Sequence, residues 1–314
     1  MENFYRKSDI PEHLQRFFCP AELGLESTPE EYVENMVKVF REVRRVLRDD
    51  GTLWLNLGDS YAASGVSGLA IKGDTSTLVG SANSAHTAQK KTVPSGLKPK
   101  DLVGIPWRVA FALQADGWWL RSDIIWAKPN PMPESVRDRP TKAHEYIFLL
   151  TKSERYFYDN VAVMEPAQYG EQHANKATSW GTDRKHPNKA NVADYAFKGD
   201  NHTTSRMEDG SHGRNRRTVW TIATKPYPEA HFAVFPPELP EICIKAGCPE
   251  GGTVLDPFAG AGTTLMVALR LGRDAIGIEL SPTYAEMARR RIDQDCPMFN
   301  REGEFVAVGG TSHG

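Results

Sequence analysis

Residues 254–280 read VLDPFAGAGTTLMVALRLGRDAIGIEL and contain two kinds of apolar order. Gly252–Asp256 has the short apolar run of a buried strand, and so has Asp274–Glu279, whereas Gly260–Leu271 has the wider spacing of a helix. Ser281 and Pro282 then cap a further helix that runs through Ile292. Strand, helix, strand, helix with short links predicts parallel strands with helices packed on their faces. Gly260 and Gly262, in the loop that leaves the first strand, let the backbone approach a ligand without a Cβ in the way. Asp256 closes the first strand and Glu279 the second, 23 residues on, where an acid can accept hydrogen bonds from ribose hydroxyls.

Two cofactor classes compete for such a loop. A dinucleotide site wants Gly-x-Gly-x-x-Gly with a pyrophosphate on the helix N-terminus. Here the residue three after Gly262 is Leu265, and Asp256 would repel a pyrophosphate. An acid suits a cation such as the ammonium of a methionine moiety. S-adenosylmethionine carries that ammonium, a sulfonium and a ribose, and no phosphate, so it is the expected cofactor. A nicotinamide-dependent oxidoreductase is the alternative from another class, and it rests on the glycine loop alone.

Upstream, Pro236–Ala246 reads as a short helix. Residues 161–226 have no sustained period and are rich in Lys, Arg, His, Asn, Gly and Ser, with Arg214, Arg216 and Arg217 clustered near the end. That composition suits either a solvated insertion or a basic surface for phosphates. Further back, Asp101–Asp116 reads as a helix closed by Gly117, and 118–129 and 144–153 as apolar strands in which Trp118, Trp119 and Trp126 are expected core residues. Residues 62–98 are Ser-, Gly-, Thr- and Ala-rich, a flexible loop long enough to suggest function or disorder. Thr28-Pro29-Glu30-Glu31 is a helix start, followed by apolar residues from Tyr32 to Leu47 at spacings of three and four. An Asp-Gly turn then leads into Gly51–Tyr61, GTLWLNLGDSY, a buried strand with Asp59, Ser60 and Tyr61 at its tip.

The 314 residues suffice for one large α/β domain with an insertion. A formal net charge of −2 excludes recruitment of nucleic acid by a global positive field and leaves that task to a local patch. Four scattered cysteines without CxxC spacing argue against a zinc site or a disulfide framework, and no metal site is expected. With neither a membrane-spanning run nor a signal segment in view, a soluble cytoplasmic protein is expected, with no membrane partner.

Several of these segments, in this order, resemble the DNA amino-methyltransferases that modify cytosine N4 or adenine N6. DPFAGAGTT followed by GIEL resembles that family's S-adenosylmethionine motif, and HFAVFPPEL (231–239) the segment covering the cofactor from the other side. RRVLRDDGTLWLNLGDSYA, IIWAKPNPMPES and KAHEYIFLLTKS resemble its catalytic half. The resemblance implies a Rossmann-like, mostly parallel sheet with helices on both faces, in the permuted motif order called beta. It places the catalytic half at 1–160, a target-recognition region at 161–226, the cofactor half at 227–295 and a tail at 296–314.

It further implies that Asp256, Phe258, Gly260, Gly262, Thr263, Thr264, Glu279, His231, Phe232 and Phe235 hold the cofactor. Lys128, Asn130 and Pro131 would line the base pocket, with Arg214, Arg216 and Arg217 on DNA. Double-stranded DNA is the implied substrate, cytosine N4 slightly favoured as the acceptor, and a cognate restriction endonuclease an implied partner. Monomer and homodimer both remain open. The family's catalytic tetrapeptide, Ser/Asp/Asn-Pro-Pro-Tyr/Phe, projects onto Met1–Tyr5, where Phe4 can supply the aromatic member while the polar residue and the prolines are missing. Three expectations follow: a chain that starts late, a catalytic role for Asp59, Ser60 and Tyr61, or an inactive relative that binds cofactor and DNA.

Overall fold

The computed structural model describes residues 23–62, 96–166, 205–206, 212–225, 234–295 and 306–307. The chain divides into two compact units, one made of Met1–Tyr158 with Thr218–Gly314, the other of Asp159–Arg217.

The larger unit opens with helix α1 (Pro29–Val46), whose first turn is fixed as expected from Thr28-Pro29. The Thr28 hydroxyl accepts from the Glu31 N–H, and the Glu31 carboxylate accepts from Ser27 in return. Met36, Val39, Phe40 and Val43 make its buried stripe. Strand β1 (Thr52–Leu57) follows, then helix α2 (Ile105–Ala115), β2 (Trp119–Ala127) and β3 (His144–Thr151). Helix α2 starts four residues later than the apolar spacing predicts. Gly104 sits at its N-cap in the left-handed region (φ 77°), and Gly117 just past its end has φ 101°.

β3 lies between β1 and β2 and is antiparallel to both, so β1 and β2 run in one direction. The ends of β1 and β2 and the start of β3 therefore share one edge of the sheet. The expected parallel order holds where β2 pairs with a later strand and where the strands of the C-terminal half pair with one another, and β3 is the reversal in this sheet. A further strand, β7 (Val219–Thr221), pairs in parallel with β2. It lies in the stretch that composition assigned to the insertion, because three residues are too few to show a period. Trp118 and Trp126 are core, but Trp119 is 47% exposed. Neighbours on a strand face opposite ways, so Trp118 and Trp119 cannot both turn inward.

Helix α3 (Glu238–Gly247), β8 (Thr253–Asp256), α4 (Thr263–Arg270), β9 (Asp274–Glu279) and α5 (Pro282–Asp295) complete the larger unit, with β10 (Val306–Ala307) parallel to β9. β8 and β9 are parallel with Asp256 opposite Gly277, as the alternation of strand and helix predicts. Gly277 lets α4 close on the sheet, since a Cβ there would lie 2.4 Å from the Leu265 side chain. Phe40, Val109, Leu113, Phe148 and Leu150 centre one core, and Ile244, Leu265, Met266, Ala268 and Ile292 another. Ile278 of β9 packs against the first of these, and this links the two sheets.

In the smaller unit, β4 (Glu165–Pro166), β6 (His212–Arg214) and β5 (Ser205–Arg206) form a three-stranded antiparallel sheet in that order. Most of the expected flexible loop 62–98 lies outside the described residues. Its two ends are tied together: Ala62 N–H donates to the Asp101 carbonyl and Lys100 N–H to the Ala62 carbonyl, both at 2.8 Å. Among the described residues, no helix is long and apolar enough to cross a membrane, and no group of His, Cys, Asp or Glu could hold a metal.

Candidate active site

The turn from β8 to α4 is held at three consecutive N–H groups, those of Phe258, Ala259 and Gly260. The Asp256 carboxylate accepts from the Phe258 N–H (3.0 Å), and the Ile278 carbonyl from the Ala259 N–H (3.0 Å). Glu279 accepts from Gly260 N–H through one carboxylate oxygen (2.9 Å) and from Ser281 N–H through the other (2.8 Å). An ionised carboxylate offers about four acceptor positions, so Glu279 keeps capacity for hydroxyls of a ligand. Asp256 is half-buried. Burial pushes this carboxyl above the ordinary aspartate range, and hydrogen bonds from the Thr264 hydroxyl and Phe258 N–H offset part of that rise. A cation brought to it would be matched with a charge that the protein has left poorly solvated.

The two loop glycines do different work. At Gly260 (φ 51°) the nearest heavy atom to an added Cβ would be the Phe258 carbonyl oxygen, 3.9 Å away, so this backbone faces open space. At Gly262 (φ 73°) a Cβ would meet the Ala288 Cβ at 2.8 Å, so this glycine admits helix α5 rather than a ligand. Thr263 is buried in the first turn of α4. Phe258 is 47% exposed and packs edge-on to Phe40 of α1, ring centroids 6.3 Å apart. Phe235 packs against the core that holds Trp126 and Trp220. His231 and Phe232, expected over the cofactor, and Phe4, expected as the catalytic aromatic, lie outside the described residues.

At the tip of β1, one carboxylate oxygen of Asp59 accepts from three backbone N–H groups: Ser60 (2.9 Å), Gly104 (2.9 Å) and Ile105 (3.1 Å). Asp59 thus caps α2, whose own N-cap is a glycine without a side-chain acceptor. The Ser60 carbonyl accepts from Val103 N–H, and Tyr61 bridges to Leu102. The Arg139 guanidinium covers one face of the Tyr61 ring, 3.9 Å from its centroid, and donates to Glu134. Lys142 reaches the Asp59 carbonyl at 2.8 Å.

On the neighbouring strand, Lys128 pairs with Glu145 and lies over the Trp126 ring. Asn130 is committed on both sides of its amide, donating to the Thr224 carbonyl (3.1 Å) and accepting from the Thr224 N–H (2.9 Å). Pro131, half-buried, extends the rigid link that follows. The structure thus brings Asp59, Ser60, Tyr61 and Lys128 to one sheet edge, together with Glu134, Arg139, Lys142 and Glu145. Sequence spacing does not single out those four, because the partners that bring them here, Tyr61, the Asp59 carbonyl and Lys128, lie on other segments.

In the smaller unit, Arg214 and Arg217 both bond to Glu165, at 3.1 and 2.5 Å, and Arg216 donates to the Val163 carbonyl. Burial raises the Glu165 carboxyl, but the charges of Arg217, Arg214 and Arg216 outweigh it and hold the group below its ordinary range.

A glycine loop between parallel strands, with an acid at each strand end and a second set of polar side chains at the edge of the companion sheet, defines an α/β methyltransferase fold. Residues 11–290 match the family model described as DNA methylase. The chain is 46% identical over 271 residues to the type II methyltransferase M.SmaI of Serratia marcescens, covering 86% of this chain and 77% of that one. It is 44% identical to M.XycI of Xanthomonas campestris pv. cyanopsidis, over 89% of this chain and 77% of the other. Among solved structures, the PvuII DNA methyltransferase, described as cytosine-N4-specific, aligns with TM-score 0.55 at 17% identity over 92% of this chain and 85% of that one, a likeness of fold. The chain belongs to the DNA methylase family, the S-adenosylmethionine-dependent amino-methyltransferases that its motifs resemble.

Proposed function

We propose that this chain transfers a methyl group from S-adenosylmethionine to an exocyclic amine of a specific sequence in double-stranded DNA, and that the amine is cytosine N4. The observation that carries the cofactor reading is the pair of carboxyls at the ends of adjacent parallel strands, with the open backbone of Gly260 beside them. Bound there, S-adenosylmethionine supplies an electrophilic methyl group on its sulfonium. Asp256 accepts from the amino group of the methionine moiety, and Glu279 accepts from the ribose hydroxyls while it holds Gly260. Cytosine rests on the likeness of the motifs, and the DNA substrate on the DNA methylase family to which the chain belongs. The type II relatives support a partner restriction nuclease that the modified sequence resists.

An exocyclic amine is a weak nucleophile because its lone pair is delocalised into the ring, and it must be swung out of the duplex to be reached. The protein's task is to hold the amine in line with the methyl group and to accept its hydrogens. Lys128, Glu145 and Tyr61 stand at the sheet edge where the extruded base is received. One observation favours a second reading, binding without transfer: the Asp59 oxygen already serves three backbone donors.

Incubating the protein with methyl-labelled S-adenosylmethionine and unmethylated bacterial DNA, then analysing nucleosides by mass spectrometry, separates the readings. N4-methylcytosine is the expected product. N6-methyladenine would overturn the choice of acceptor, and cofactor binding with no modified base would establish the second reading.

A further inference from the structure

The glycine loop is gripped from behind as well as from the sheet, by a residue outside the cofactor motif. Arg291, on α5, donates through one terminal nitrogen to the Ala261 carbonyl (3.2 Å) and to the Thr263 hydroxyl (2.8 Å). One turn earlier on the same helix, Ala288 sits where a Cβ at Gly262 would have to go. Ala261, Gly262 and Thr263 are thus all held by one face of α5, while Glu279, Asp256 and Ile278 hold Phe258, Ala259 and Gly260 from the sheet.

The dipole of α4 does not favour a guanidinium at this place. The first turn of α4 is the positive end of that helix, and a cation beside it is unfavourable. Its geometric effect is specific, however. It fixes the orientation of the Ala261–Gly262 peptide and of the Thr263 hydroxyl, and so sets the path of the loop on which Gly260 is presented.

We propose that Arg291 is a positioning residue for cofactor binding, acting through the Ala261 carbonyl and the Thr263 hydroxyl. The inference rests on the proposed cofactor reading of the loop. A loop pre-set in its bound shape loses less freedom when the ligand arrives, so its brace acts on affinity for the cofactor and not on affinity for DNA.

The test is steady-state kinetics of Arg291→Ala and Arg291→Lys with S-adenosylmethionine and DNA varied separately, alongside calorimetric titration of wild type and variants with S-adenosylmethionine. Arg291→Ala should raise KM for S-adenosylmethionine roughly 10-fold, the scale of losing a charge-assisted bond, while KM for DNA stays put and kcat at saturating cofactor falls far less. Arg291→Lys keeps the charge and can reach one of the two acceptors, so it should fall between. Unchanged cofactor KM in both variants, or a loss confined to kcat, would overturn the assignment. If Arg291→Ala does not fold, Arg291→Lys decides alone, an unaltered cofactor KM counting against the role. Wild-type protein that fails to bind S-adenosylmethionine would instead overturn the cofactor reading, whereas wild-type binding matched by both variants removes only the role of Arg291.

Discussion

Two aspartates at strand ends look alike in the sequence and differ in what surrounds them. Asp59 is ringed by backbone donors, so its first duty is to hold α2 on β1. Asp59→Ala should cost about 3 kcal/mol of stability in a denaturant titration, since three N–H groups lose a charged acceptor. Asp59→Asn keeps an acceptor oxygen and should retain most of that stability. If it also retains methyl transfer, the carboxylate charge is not part of the chemistry, whereas a folded and inactive Asp59→Asn would place it there. Asp256 has fewer donors, the Phe258 N–H and the Thr264 hydroxyl, and burial raises its affinity for a proton. The folded chain binds that proton more tightly than the unfolded chain, so its contribution to stability declines as pH climbs from the unfolded value near 4. Asp256→Asn should therefore be at least as stable as wild type at neutral pH while binding S-adenosylmethionine more weakly. Because an ammonium ligand must displace the proton, wild-type affinity should weaken as pH falls through the native pKa of Asp256. Calorimetry across pH would register this as proton release on binding, and a flat profile would remove Asp256 as the ammonium's partner.

The glycine loop makes its prediction at the scale of a strand, a turn and two helices. Gly262→Ala forces a methyl against the Cβ and Cα of Ala288, at 2.8 and 3.2 Å, in a left-handed conformation, so a loss of about 3 kcal/mol is expected. Gly260→Ala meets no such neighbour and should lose only about 1 kcal/mol, from its positive φ. Its methyl would instead occupy the open side of the loop. Thermal melts paired with cofactor titration should therefore separate the two, Gly262→Ala failing in the melt and Gly260→Ala in the titration. The sequence showed both glycines without telling them apart, because the neighbour that distinguishes them, Ala288, lies on another helix. The same limit governs the rest of the site. Helix α1, β8, α4 and β9 were legible because capping chemistry and apolar spacing are local. The reversal of β3, the capping of α2 by Asp59 and the tie between Asn130 and Thr224 depend on segments distant in the chain, and spacing carries no trace of them. The Asn130 tie also changes how that residue is read, since an amide bonded on both sides has less to offer a base edge.

Across the whole molecule the charge is nearly balanced, −2 over 314 residues, so affinity for a polyanion has to come from where cations are gathered. The smaller unit gathers Arg214, Arg216 and Arg217, but it places Glu165 among them, and two of the three guanidiniums bond to that carboxylate. Such a cluster can be a brace for a small sheet or a surface for phosphates, and the two roles differ in what salt does to them. Arg217 is the more exposed of the two Glu165 partners, its side chain 62% exposed against 26% for Arg214, and so is the one suited to a phosphate. If it contacts DNA, Arg217→Ala should weaken binding to specific and unrelated sequences alike, and the slope of log K against log salt should become shallower by about 1, the share of one released counterion. Its removal would still leave Glu165 its bond from Arg214, and an exposed pair of this kind is worth about 1 kcal/mol or less, so the melting temperature should barely move. Binding isotherms from low to moderate salt on a duplex carrying the modified sequence and on one lacking it, with thermal melts of both proteins, would measure the two quantities. An unchanged slope with a lowered melting temperature would make the arginine cluster a brace, and the phosphate contacts would then have to be sought on other surfaces of the chain.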